Sequence, residues 1–119
     1  MYDKNNIFAK ILRGEIPCDK IYEDKFALAF KDINPQARVH VLLIPKGFYK
    51  DMSDFSDNGT KEEIAAFLNA IVKVVDILGI KNQGYRCINN NCNDGGQEVP
   101  HLHFHILGGQ KVGRMVSKN

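Results

Sequence analysis

His101-Leu102-His103-Phe104-His105-Ile106-Leu107-Gly108-Gly109 stands near the end of this 119-residue chain and holds three of its four histidines. One apolar residue separates each histidine from the next. A strand sends alternate side chains to opposite faces. The stretch therefore predicts a last strand with Leu102, Phe104 and Ile106 turned into a core and His101, His103 and His105 turned the other way. Neighbouring rings would stand roughly 6.6 Å apart, twice the strand rise.

The elements before this strand follow from their own patterns. Asn91 to Pro100 is a glycine-containing loop, and Tyr85 to Asn90 reads as a strand. Thr60-Lys61-Glu62-Glu63 is a capping box. Ile64, Phe67, Leu68, Ile71, Val72, Val75 and Leu78 then recur with helical periodicity, which predicts one long amphipathic helix ending at Gly79. The stretch from Gly47 to Gly59 reads as a polar loop with room for one helical turn. Val39 to Lys46 is a strand, Asn34 to Arg38 a turn, and two strand-forming runs between Lys20 and Ile33 make a hairpin. Ile7, Phe8, Ile11 and Leu12 mark one face of a short first helix, capped by Asp3 or Asn5 and stopped at Gly14. The order helix, three strands, helix, two strands predicts an α+β fold: a five-stranded antiparallel sheet with two helices, in a single domain over residues 1–119.

Composition sets bounds on function. The chain is 44% hydrophobic with seven Phe and four Tyr, enough for one core. A net charge of +2 and the lack of a basic block interleaved with aromatics argue against a nucleic-acid partner. Three cysteines, Cys18, Cys87 and Cys92, form no CxxC pair and no even framework, which suits a reducing cytoplasm. No signal peptide or run of about 20 apolar residues is present, so no membrane partner is expected.

Three readings of the histidines compete. They could be a His-rich solvated face. Two of them could ligate zinc, but a third ring at twice the spacing hardly converges on the same ion, and the cysteines lack zinc-ligand spacing. Or they do nucleophilic and acid–base chemistry: neutral imidazole is a competent nucleophile near pH 7, and a flanking ring can carry the leaving group's proton. The loop before the strand favours the third reading. Gly95 and Gly96 among amide side chains would let backbone N–H groups approach an anion.

The stretch His101 to Leu107 matches the pattern H-φ-H-φ-H-φ-φ, where φ is apolar. With "GGQEV" before it and "GG" after it, the chain resembles the histidine triad (HIT) family, in particular its Hint branch of nucleotide-binding proteins. "IFAKILRGEIP" and "FKDINPQARVHVLLIPK" extend the resemblance over nearly the whole chain. The resemblance implies a HIT-like fold, a homodimer whose sheets join into one, a purine nucleotide ligand, no cofactor or metal, and hydrolysis of nucleoside phosphoramidates through a nucleotidyl-histidine. It implies that His103 is the nucleophile. His101 would orient His103, with His40 behind it, and His105 would stand on the leaving-group side. Asn90, Gln97, Glu98 and Val99 would hold the phosphate, mostly through backbone amides, and Asp32 would accept from the ribose hydroxyls. Ile7, Phe8, Ile11, Phe30, Ile33 and Leu42 would form the purine slot. Phe48 and Glu98 depart from relatives that carry His and Ser there. The alternatives are dinucleoside polyphosphate hydrolysis, as in the Fhit branch, and a non-catalytic nucleotide- or zinc-binding interaction protein.

Overall fold

A computed structural model describes residues 1–117. Its elements run α1 (Ile7–Leu12), β1 (Lys20–Glu23), β2 (Ala27–Lys31), β3 (Val39–Pro45), α2 (Met52–Asn58), α3 (Lys61–Leu78), β4 (Tyr85–Ile88) and β5 (Phe104–Gly108). The five strands form one antiparallel sheet in the order β1-β2-β3-β5-β4. The α+β expectation holds. No helix is long and apolar enough to cross a membrane among the described residues.

Strand alternation divides the core in two. Ala27 and Ala29 of β2, Val41 and Leu43 of β3 and Ile106 of β5 face α3, where they meet Phe67, Ile71, Val74 and Val75. Leu28, Phe30, Leu42 and Ile44 face the other way, and Phe8 of α1 covers them. The alanines leave room for the long helix to lie close on the sheet. That helix begins at the expected capping box, in which the Thr60 hydroxyl accepts from Glu63 N–H at 3.0 Å and a Glu63 carboxylate oxygen accepts from Thr60 N–H at 3.0 Å. It ends at Gly79 in the left-handed conformation.

Four expectations need correction. There are three helices among the described residues, not two: the stretch read as a loop contains α2, whose cap is the Asp51 carboxylate accepting from Asp54 N–H at 2.9 Å. Its one buried side chain, Phe55, packs between Tyr49 and Phe67 at centroid distances of 4.9 and 5.6 Å. A single docking residue leaves no periodicity to read. The cap of α1 is Asn6 rather than Asp3 or Asn5, because the Asn6 side chain accepts from Ala9 N–H at 2.9 Å. Leu68 and Val72 of α3 are exposed rather than in the core. Finally, the last strand begins at Phe104, not His101. Pro45 O accepts from the His101 ring at 2.9 Å, and Leu102 N–H donates to Tyr49 O at 2.8 Å, so residues 101–103 leave the ladder.

Candidate active site

The histidine face and α1 enclose a cavity of about 770 Å³, which reaches from Cys18 and Ile11 at one end to Asn90, Glu98, His103 and His105 at the other. Alternation survives past the end of the strand. Leu102 and Phe104 join the α3 side of the core, whereas His103 and His105 line the cavity, their ring centroids 5.2 Å apart. His101 does not line it. Its ring is fully buried behind His103.

Hydrogen bonds fix the proton on each ring, because a carbonyl only accepts and a backbone N–H only donates. His103 Nδ1 lies 2.7 Å from His101 O, so Nδ1–H donates and the lone pair is on Nε2. Gln36 N–H donates to His40 Nδ1 at 3.0 Å, so the His40 proton is on Nε2. That Nε2–H reaches His105 Nδ1 at 2.9 Å, which leaves the His105 proton on its own Nε2. The two cavity rings thus hold opposite states: His103 offers a lone pair and His105 an N–H. His101 Nε2–H donates to Pro45 O, so its Nδ1 accepts from the Tyr2 hydroxyl, whose oxygen accepts from Asn6 Nδ2 at 2.8 Å.

His40 was expected behind His101 and His103. It stands behind His105 instead, and the backbone carbonyl of His101, not its ring, orients His103. All four rings are kept neutral at pH 7. Burial is the largest influence on each and pushes His101 and His105 down to about 4 from the ordinary 6.5. It lowers His103 as well, against the pull of the His101 carbonyl and the carboxylates of Asp32 and Glu98. His40 is lowered by burial, with Asp32 opposing.

The six residues expected to form the slot stand together in one cavity wall. Ile7, Phe8, Ile11, Phe30, Ile33 and Leu42 all line the cavity, and Phe8 meets Phe30 and His103 edge-on at 5.6 and 5.0 Å. Ile33 is almost fully exposed at its mouth, and Ile16, Pro17 and Cys18 also line it. Asp32 sits midway, one carboxylate oxygen accepting from Asn34 N–H at 2.8 Å and the other 3.4 Å from His40 Nε2. Asp32, His40 and His105 place one donor atom each within 4.8 Å of one another. A cation there would require His40 to give up the proton it shares with His105.

The loop from Asn89 to Pro100 needs its glycines. A Cβ on Gly95 would lie 2.3 Å from Asn91 O, and Gly96 has φ of +76°. Asn90, Gly96, Glu98 and Val99 line the cavity, but Gln97 does not. The Gln97 amide instead ties the loop together, donating to Lys50 O and Val99 O at 2.7 and 2.9 Å and accepting from Cys92 N–H at 2.9 Å. Its backbone N–H is spent on Cys92 O. Among the described residues the N–H groups of Glu98 and Val99 have no such partner.

Sequence reasoning missed Tyr2, Asn6 and Asn89. Tyr2 stacks on Phe48 at 4.9 Å and bonds His101 from 99 positions away, which no local pattern encodes. Asn6 was passed over as the cap in favour of Asp3 and Asn5, and its side chain holds both Ala9 N–H and the Tyr2 hydroxyl. Asn89 Nδ2 donates to His103 O at 3.0 Å and braces the strand from the side.

The HIT domain model matches residues 13–112. The chain is 53% identical to a HIT-like protein of Azospirillum brasilense over 98% of its own length and 96% of that protein's. It is 40% identical to the purine nucleoside phosphoramidase of Escherichia coli, over 96% and 95% of the two chains. Among solved structures it is similar to a histidine triad protein of Clostridium difficile, with a TM-score of 0.84, 41% identity and coverage of 98% and 100%. It is likewise similar to a HIT family hydrolase of Legionella pneumophila, with a TM-score of 0.83, 43% identity and coverage of 90% and 95%.

Proposed function

The chain belongs to the HIT family, and from that premise we propose that it hydrolyses purine nucleoside 5'-phosphoramidates through a nucleotide linked to His103. The observation that carries this reading is the pair of opposed tautomers in one cavity, a lone pair on His103 Nε2 beside an N–H on His105 Nε2. The slot around Phe8 and Ile33 takes the purine, Asp32 accepts from the ribose hydroxyls, and the Glu98 and Val99 amides with Asn90 hold the α-phosphate.

In the first step His103 Nε2 forms a bond to the α-phosphorus. The substrate nitrogen takes up a solvent proton, the P–N bond breaks with its electron pair going to nitrogen, and the amine departs neutral, accepting a hydrogen bond from His105 Nε2–H. In the second step water attacks the phosphorus and releases a proton to solvent, which balances the one taken up in the first step, and the His103–phosphorus bond breaks to release the nucleoside monophosphate. His40 keeps the His105 Nδ1 lone pair pointed at its own Nε2–H, so the His105 N–H always faces the cavity. The burial that keeps the rings neutral also keeps the nucleophile's lone pair free at pH 7.

A homodimer completes the proposal. The two outer strands of the sheet differ: β1 carries a register break between Lys20 and Tyr22, a common device for blunting an edge, while β4 pairs without interruption and leaves Tyr85 and Cys87 exposed. Joining two copies along β4 would make one sheet of ten strands.

The test is direct. The wild-type protein is expected to cleave adenosine 5'-phosphoramidate faster than diadenosine polyphosphates. His103→Ala is expected to lose on the order of 10⁴-fold or more in kcat, the scale on which removing a nucleophile acts, and still to bind AMP. A variant as active as wild type would end the assignment of His103.

A further inference from the structure

A pocket built for a phosphate is expected to be positive, and this one is not. Of its charged lining residues, Asp19, Asp32 and Glu98 are acidic and only Lys31 is basic. Lys31 Nζ lies 3.5 Å from Asp19. Among the described residues the histidine end has no cation, since its rings are neutral. Glu98 is exposed at that end and has no hydrogen bond or ion pair among the described residues. It is close enough to His103 to favour the charged form of that ring.

The direction of attack says what Glu98 faces. His103 is 4% exposed and stands in the buried wall of the cavity. In-line displacement sends the leaving group away from the nucleophile, so the amine departs from the buried wall toward solvent, and Glu98 is an exposed residue of the lining it passes. A nucleoside phosphoramidate monoester carries one negative charge at its phosphorus. A phosphate monoester, whose second pKa is near 6, carries closer to two at pH 7.

We infer that Glu98 is a specificity-determining residue, which makes the mouth of this site select phosphoramidates whose leaving amine bears an additional positive charge and speeds expulsion of the nucleoside monophosphate. The inference rests on the P–N hydrolase reading above and names the substrate class within it. A cationic group on the amine meets an unpaired carboxylate, and the product, with more negative charge than the substrate, is repelled by it. Di- and triphosphates are disfavoured for the same reason.

Two adenosine 5'-phosphoramidates separate the effect from size: one linked through the α-nitrogen of lysinamide, the other through norleucinamide, its uncharged counterpart. At low ionic strength the wild type is expected to favour the lysinamide substrate about 10-fold in kcat/KM, less as salt rises. In Glu98→Gln and Glu98→Ser the ratio is expected to fall toward one. Calorimetry should show AMP binding both variants several-fold more tightly than wild type, with adenosine binding equal in all three. A ratio that survives the substitution, or AMP affinity that does not change, overturns the inference. If the wild type cleaves neither compound, the hydrolase reading fails by itself, and the comparison of AMP with adenosine still decides whether Glu98 repels charge.

Discussion

His40 touches no part of the nucleotide in this reading, yet its removal should be felt at the leaving group. Without its Nε2–H, His105 is free to put the proton on Nδ1, where it cannot reach the departing amine. His40→Ala is expected to lower kcat by about 10²-fold, the usual worth of a placed hydrogen-bond donor, with AMP binding retained. Nitrogen NMR of the His105 ring should show the tautomer change; an unaltered ring with a normal kcat would refute the role. The triad itself was legible because alternation is a property of strands and three imidazoles in alternation are unusual. The direction of each proton was not legible. It depends on Gln36 N–H, His101 O and Pro45 O, backbone groups whose positions only the fold sets. The same holds for Gln97: the sequence marked the right loop, but whether an amide side chain points at a ligand or at Lys50 O is decided by packing.

At the level of elements, the loop before β5 is a glycine-dependent cradle, and the contact of Gly95 with Asn91 makes a sharp prediction. Gly95→Ala would force a Cβ against a backbone oxygen at 2.3 Å, so the loop must shift. AMP affinity should drop several-fold with little change in melting temperature, which titration calorimetry and a thermal melt together would check. Helices were legible in proportion to their length. The eighteen residues of α3 repeat their apolar stripe over five turns, whereas the seven of α2 dock through Phe55 alone. The same stripe misled at Leu68 and Val72, which continue the pattern on the outer side of α3. If that outer strip and the β4 edge are covered by a second copy, Leu68→Glu with Val72→Lys should reduce the mass seen in sedimentation, while the single chain keeps its helical circular dichroism. A mass equal to one chain in the wild type would remove the dimer from the proposal.

On the scale of the whole molecule, four buried neutral imidazoles couple folding to acidity. Each has a lowered pKa in the folded state, so as pH falls below the ordinary 6.5 the unfolded chain takes up protons that the folded chain refuses. Stability is therefore full above pH 6.5 and should decline as pH falls toward about 4, where His101 and His105 protonate in the folded state. Denaturant melts across that interval are expected to show a falling midpoint; a flat midpoint would mean the rings are not buried as described. Fold class was legible in the sequence because turn residues and capping boxes are local signals. What escaped was the closure between distant parts, and Tyr2 is the clearest case. Its hydroxyl and ring join the start of the chain to His101 and Phe48. A six-residue helix such as α1 has little stability by itself. During synthesis Phe8 can settle on β2 and β3 once they exist, but the latch from Tyr2 to His101 closes only after the ribosome has delivered the final strand, so a message truncated before codon 101 would yield a chain whose first residues stay untethered.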